Sequence, residues 1–325
     1  MNLLKRLFND EAGVSPIVAT LVLVVVAIAG AAAVGTIMGS FSSDVSDSAS
    51  AGDATSAAST ELLVAGSTTV QPVSELLAEA FMKDHSGIKV TVQGGGSGAG
   101  ITSAELDIID IGAASKPVDT VNDHPDLKVF EIGGSAVVAI GGSNIAGNTT
   151  QTQLKAMYDA CKDGTVDIDI TAGNITQNGS TTITLYQRSE ASGTEETFAN
   201  YLGGDYKSAK DVDASEAEGA VGNAGVLAAV EGNADSIGFV DFGFAASSDI
   251  VNIIGVDGYN DVTESNVLDA LSGKDTYQSS LTRPLNYLTN GNPSTVEQSF
   301  INYAMSPAAM EIFHEVGYFS VIEYK

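Results

Sequence analysis

Basic residues are scarce. The 325 residues hold 14 Lys and Arg against 41 Asp and Glu, a formal charge of −27. A nucleic-acid binder of the usual kind needs a basic face to displace phosphate counterions, and this composition excludes one. Cysteine is scarcer still. Cys161 stands alone, which rules out an intramolecular disulfide framework and a cysteine-cluster zinc site. The histidines, His85, His124 and His314, lie far apart and form no HxxxH pair. Walker A, EF-hand and HExxH patterns are missing, and Ala99 stands where a G-x-S-x-G nucleophile motif around Ser97 would need glycine. A single G-x-G-x-x-A run, at Gly94, Gly96 and Ala99, follows the second expected strand rather than the first and has no evident ribose-binding acid. It is a poor dinucleotide fingerprint. What the chain does have is 44 % apolar and 17 % charged residues, the balance of a folded protein.

One long apolar run is present. Ser15 to Gly39 carries no charge, enough for a helix across a hydrocarbon core of roughly 30 Å. Lys5 and Arg6 precede it, and no Lys or Arg follows until Lys83. The positive-inside rule then puts the N-terminus in the cytoplasm and residues 61–325 outside a cell membrane crossed once. The run is too long for a secretory h-region and lacks a clear A-x-A site. The stretch DEAGVSPIVATLVLVVVAIAGAAAVG resembles the N-terminus of archaeal type IV pilin-like proteins. That resemblance implies a leader, residues 1–13, cut between Gly13 and Val14 by a prepilin-type peptidase, with the helix 14–39 retained. Residues 40–60 are Ser, Ala, Asp and Gly and read as a tether.

From Glu61 short apolar strands alternate with helices. ELLVAGS, IKVTVQ, IIDIGAAS, KVFEIGG, AVVAIGG, TITLYQR, SIGFVDFG and VNIIGV read as strands. VQPVSELLAEAFMKDH, ITSAEL, Gln153–Tyr158, TEETFANYL, STVEQSFINYAM and PAAMEIFHEV read as helices. The pattern predicts an α/β protein with mostly parallel sheets, and its length favours two lobes. No repeat is visible.

Three Gly/Ser/Thr-rich turns join a strand to a helix: Gly66-Ser67-Thr68-Thr69, Gly94 to Gly100, and Ser192-Gly193-Thr194. Free N–H groups and the positive dipole end make a helix start an anion site, and hydroxyls add donors. Any one such turn is ordinarily a plain cap or loop; three of like composition point to a shared ligand. Arg188 and Arg283 are the arginines of the globular part. Arg188 ends a strand four residues before Ser192, where a guanidinium can clamp an oxyanion. Arg283 is expected to form a surface ion pair, with little bearing on binding.

The ordered set GSTTVQP, GGGSGAGI, DIGAAS, RSEASGTEETF, GFVDFG, RPLNYLTNG, FINYAMS and GYFSV resembles the phosphate-binding proteins of ABC phosphate importers across residues 61–325. The resemblance implies a periplasmic-binding-protein fold of type II, two lobes that close on orthophosphate with two hinge crossovers, behind the N-terminal transmembrane helix. Residues 61–137 plus 250–325 would form lobe I and 138–249 lobe II. Thr68 and Thr69 match the first binding loop, Ser97 the second, and Arg188, Ser192, Gly193 and Thr194 the R-x-x-x-S-G-T loop. Ser115 falls where the best-studied branch has an aspartate that accepts the phosphate proton. Its surroundings, Gly112 to Lys116, are closer to a branch reading DIG-x-SS-R. A fully ionised sulfate has no proton to offer an acceptor, and a serine oxygen can accept one, so Ser115 is expected to serve there. The function implied is binding, not catalysis: capture of inorganic phosphate for an ABC permease, with no cofactor, metal or nucleic acid. The alternatives are another tetrahedral oxyanion (sulfate, molybdate or tungstate) and a pilin-like filament subunit displaying a binding domain. Sequons at Asn148, Asn174 and Asn178 are glycosylation candidates that fit outward exposure.

Overall fold

The computed structural model describes residues 60–167, 174–177, 182–203 and 216–325. The leader 1–13, the helix 14–39, the tether up to residue 59 and Asn178 lie outside the described residues. No helix among those described is long and apolar enough to cross a membrane.

The strands are β1 (Thr60–Gly66), β2 (Ile88–Gly94), β3 (Ile111–Ala114), β4 (Leu127–Gly141), β5 (Ile145–Thr149), β6 (Thr165–Asp167), β7 (Asn174–Gln177), β8 (Thr182–Arg188), β9 (Glu218–Ala220), β10 (Ser236–Asp241), β11 (Asn252–Val256), β12 (Thr282–Asn290) and β13 (Phe319–Ser320). The α-helices are α1 (Val70–Asp84), α2 (Ser97–Glu105), α3 (Gln151–Ala160), α4 (Gly193–Leu202), α5 (Gly222–Glu231), α6 (Phe242–Ala246), α7 (Glu264–Leu271), α8 (Thr295–Ala304) and α9 (Met310–Glu315).

The first sheet runs β2-β1-β3-β12-β4. Its N-terminal strands are parallel, β1 with β2 and with β3, as crossover helices α1 and α2 require. Strand β12 is antiparallel to both β3 and β4. The arrangement is therefore mixed rather than mostly parallel, because the chain leaves this lobe along β4 and returns along β12. Alternation along β1 sends Leu62 and Val64 inward. Helix α1 lays Val70, Val73, Leu77 and Phe81 against them at helical spacing.

Strand β4 is the link between the lobes. Leu127 to Ala136 pair with β12, whereas Val137 to Gly141 pair with β10. KVFEIGG and AVVAIGG, two strands by sequence, are one strand of 15 residues. The Gly133-Gly134 pair suggests a turn but serves packing. A Cβ on Gly133 would stand 2.5 Å from the Phe313 ring and from the Phe319 carbonyl, and one on Gly134 would meet Leu271 at 2.8 Å. Beyond β4, β10 lies parallel to β8, and β11 pairs antiparallel with β4 and parallel with β5. The expected return to lobe I at residue 250 precedes β11 and α7. Ile254, Val256, Val267 and Ala270 there share a core with Val137 to Ile140, Leu185 and Phe239. The strand that rejoins the first sheet is β12.

Candidate functional site

The first of the three Gly/Ser/Thr-rich loops begins with a glycine that nothing else could replace. Gly66 has φ +138°, and a Cβ there would lie 2.3 Å from the Ala113 carbonyl. That close approach of β1 to β3 sets Ser67, Thr68 and Thr69 beside Ser115. Ser67 Oγ accepts from the N–H groups of Thr69 and Val70 and donates to Ser115 Oγ at 2.9 Å. Ser97, the first residue of α2, accepts from Ser115 N at 3.1 Å.

From the second lobe, Ser192 caps α4 by accepting from Thr194 N and Glu195 N. Thr194 Oγ1 lies 3.2 Å from Thr69 Oγ1. Gly193 faces Ser97 and Ser115 so closely that a Cβ would stand 2.7 Å from Ser97 Oγ. The lobes are in contact across the cleft. At its rim Lys116 and Glu196 form an ion pair at 2.5 Å.

Arg188 closes one end of the cleft and is wholly buried. Its Nη2 donates to Thr68 Oγ1 at 2.8 Å, and its Nε and Nη2 both reach Glu190 Oε1. Burial pulls its pKa down, and the Glu190 carboxylate works against that shift. Nη1 has no partner among the described residues. The Arg188 backbone N–H donates to Glu195 Oε2 at 2.9 Å. Burial pushes the Glu195 carboxyl up to about 7, opposed by that hydrogen bond and by the Arg188 charge.

Arg283 is not on the surface. It is 2 % exposed, at the start of β12, with Nη2 donating to Asp241 Oδ2 at 2.6 Å and to Thr69 Oγ1 at 3.0 Å. Its Nη1 donates to Ser115 O and Oγ, each at 3.2 Å. The expectation of a surface ion pair is corrected by β12, whose pairing with Ser135 on β4 aims position 283 at the hinge. Asp241 is fully buried and also accepts from Ser135 Oγ at 2.7 Å. Asn223, at the start of α5, donates to Thr69 Oγ1 at 2.8 Å and accepts from Asp241 N at 3.0 Å.

A cleft lined with hydroxyls, helix starts and two buried guanidinium groups has the donor chemistry to hold an oxyanion. Helices α1, α2 and α5, which start at the cleft, have no side-chain cap, whereas α3, α7 and α8 are capped by Thr150, Thr263 and Ser294. The Val70 N–H of α1 nonetheless donates to Ser67 Oγ and the Gly222 N–H of α5 to Glu190 Oε1, so the helix start left for a ligand is that of α2. A separate groove of about 320 Å³ near His314 and Tyr318 is lined by Glu264 and Glu315 and suits an anion poorly. Among the described residues no cluster of His, Cys, Asp and Glu could hold a metal ion.

Residues 51–308 match the profile of the PBP superfamily domain. The chain belongs to the PBP superfamily. Over 99 residues it is 31 % identical to a protein of Streptococcus agalactiae serotype V named phosphate-binding protein PstS 2, covering 30 % of this chain and 34 % of that one. Over 143 residues it is 30 % identical to the Streptococcus pneumoniae serotype 4 protein of the same name, covering 42 % and 44 %. The chain thus spans about a third to under a half of the curated relatives it matches. Among solved structures, a Clostridium perfringens protein described as a phosphate ABC transporter substrate-binding protein, with bound phosphate, superposes with a TM-score of 0.68 at 24 % identity over 80 % of this chain and 99 % of that one. An ABC-type phosphate transport receptor from Vibrio cholerae gives 0.61 at 24 % identity, over 80 % and 100 %. These likenesses bear on the fold: two lobes of mixed α/β structure.

Within this PBP-superfamily fold Thr68, Thr69, Ser97, Ser115, Arg188, Ser192, Gly193 and Thr194 all line one cleft. Sequence reading passed over Asn223, Asp241 and Glu190 and misjudged Arg283. GFVDFG and RPLNYLTNG contain Asp241 and Arg283, so the signal was there without a role attached to it. Two of the sequon positions lie elsewhere: Asn148 and Asn174 are paired in the backbone register of β5 and β7.

Proposed function

We propose that this chain is a substrate-binding protein that captures inorganic phosphate outside the cell and hands it to an ABC permease. The observation that carries the reading is Arg188. It is a fully buried guanidinium at a cleft between lobes, with Nη1 unpartnered among the described residues and hydroxyls from both lobes around it. Phosphate at neutral pH carries one to two negative charges, and a buried cation offsets more of its desolvation than neutral donors do. The names of the streptococcal relatives agree. The segment 14–39 would tether the protein to the membrane after prepilin-type processing at Gly13, and residues 40–59 would give it reach. Asn148, Asn174 and Asn178 would then lie on the glycosylated side.

Calorimetry of the detergent-extracted protein with phosphate, sulfate, molybdate and tungstate tests the ligand. Phosphate is expected to bind tightest; preference for another anion, or no binding, overturns the reading. Protease added to intact cells is expected to remove the globular part, and full protection would refute the topology. Recovery of the protein in sheared filaments would favour the pilin-like alternative, to which the N-terminal resemblance gives weight.

A further inference from the structure

We propose that Asn223 is a positioning residue for anion capture: from the second lobe it holds Thr69 of the first lobe and sets the Thr69 hydroxyl as a donor. The inference rests on the phosphate-binding reading above. Asn223 acts on the anion through Thr69, and does so only when the lobes have met.

The placement of Asn223 begins with Gly222, whose φ of +71° suits glycine and turns the chain from β9 into α5. Asn223 follows in the first turn of the helix and is fully buried. A buried side-chain amide must find partners for both its ends. Its Oδ1 accepts from the backbone N–H of Asp241 at 3.0 Å, at the end of β10. A backbone N–H can only donate, so that bond fixes which way the amide faces. Nδ2 is thereby turned to Thr69 Oγ1, to which it donates at 2.8 Å. One end of Asn223 is pinned to the strand that enters the hinge, and the other reaches across the cleft.

The effect is on the polarity of Thr69. Its Oγ1 accepts from Asn223 Nδ2 and, at 3.0 Å, from Arg283 Nη2. A hydroxyl oxygen has two lone pairs, so both are taken and its O–H is what remains to give. That hydrogen has Thr194 Oγ1 within reach at 3.2 Å. It turns about the C–O bond, so it can swing from Thr194 to an oxyanion between the lobes. Remove Asn223 and one lone pair is freed, which the oxygen can then turn toward the anion and repel it. Ser115 makes the contrast. Its Oγ accepts from Ser67 Oγ at 2.9 Å and from Arg283 Nη1 at 3.2 Å, so it too is left a donor rather than the acceptor its sequence position suggests. Both of its partners, however, belong to the first lobe. Thr69 takes one of its two from the second lobe, so its donor state is completed by closure. The bond from Thr194 Oγ1 to Asn223 Oδ1, at 3.5 Å, is the weak link in this cluster.

The test is a double-mutant cycle on the full chain in detergent at pH 7, with phosphate followed by calorimetry and stopped-flow, for wild type, Asn223→Ala, Thr69→Val and the double variant. Valine keeps the branched shape, and the Thr69 side chain caps no N–H of α1, so the helix start is kept. Asn223→Ala is expected to weaken phosphate by about 10-fold, the scale of one hydrogen bond. The loss should fall on the release rate, with association within about 2-fold of wild type, because the bond forms once the lobes have closed. Thr69→Val should cost about 10-fold or more. The double variant should match Thr69→Val within about 2-fold, since the route through Thr69 is already gone. Asn223→Ser, which leaves an oxygen near the Asp241 N–H but is too short for Thr69, should repeat the Asn223→Ala result and serves where the alanine variant folds poorly. Losses that multiply in the double variant would overturn the inference, since Asn223 would then act by another route. So would Asn223→Ala binding like wild type, or a loss carried by slower association. Wild type that binds no phosphate would instead defeat the phosphate-binding reading itself.

Discussion

Arg188 and Arg283 are both buried, yet they answer to different partners. Arg188 is held by Glu190, whose side chain is 22 % exposed, and Arg283 by Asp241, which is fully buried. Removing Arg283 strands an unpaired carboxylate in the hinge, a loss of about 3–5 kcal/mol in stability. Arg283→Ala is therefore expected to lower the urea midpoint sharply and to lose phosphate binding with it, through Thr69 and Ser115. Arg188→Ala should leave the fold in place and cost about 3–5 kcal/mol in affinity, roughly two to three and a half decades by calorimetry. Arg188→Lys should recover part of this, since an ammonium cannot make a two-pronged contact. A silent Arg283→Ala would refute this assignment of the hinge pair. Glu195 gives a pH signature. Its folded pKa of about 7 lies above the ordinary 4.5, so the folded protein keeps a proton that the unfolded chain has released. Its stabilising contribution is whole below about pH 4.5 and is lost as pH rises through about 7, on the order of 3 kcal/mol in all. Glu195→Gln should flatten that part of the melting-temperature profile, gaining on wild type as pH rises from 4.5 to 7. Parallel profiles would show that Glu195 ionises freely.

At the scale of elements, the loops were legible because their chemistry is local. Glycine, serine and threonine at a strand-to-helix junction speak for themselves at Thr68, Ser97 and Thr194. Asn223, Asp241 and Arg283 take their meaning from partners far along the chain. Arg283 and Thr69 are 214 residues apart, and no pattern within a window reaches that far. The hinge strand was hidden for another reason: Gly133 and Gly134 look like a turn, and only the rings packed against them show why they are glycine. The α4 loop offers a clean test of closure. Gly193 has an ordinary helical position within its own lobe, and the crowding at its Cβ comes from Ser97 and Ser115 across the cleft. Gly193→Ala should melt like wild type. It should bind phosphate about 10-fold or more weaker, given roughly 1–3 kcal/mol for overpacking. Unchanged affinity would mean that the bound state does not bring these loops together.

For the whole molecule, a charge of −27 repels an anion at long range. At physiological salt the Debye length is about 8 Å, and a diffuse surface charge is largely screened at a buried cleft. Affinity is expected to move by less than about 3-fold between 0.05 and 0.5 M sodium chloride, since directed donors and buried guanidinium groups do the binding. A steep rise at low salt would mark a nonspecific site.

The place of β12 also has a consequence for biogenesis. It sits between β3 and β4 in the first sheet, with Asn286 opposite Ala114 and Leu288 opposite Val129. A nascent chain delivers β3 and β4 long before it delivers their partner. Until Thr282 has been made, those two strands present raw edges, the usual route to aggregation. The second lobe has no such wait, because β5 through β11 arrive in one stretch within 145–256. It can assemble first as a nested unit, anchored on the far half of β4. The N-terminal lobe, though synthesised earlier, would then be the last to finish. A nascent chain halted before Thr282 is expected to show protected amides in Val137 to Ile140 and exposed ones in Ile111 to Ala114.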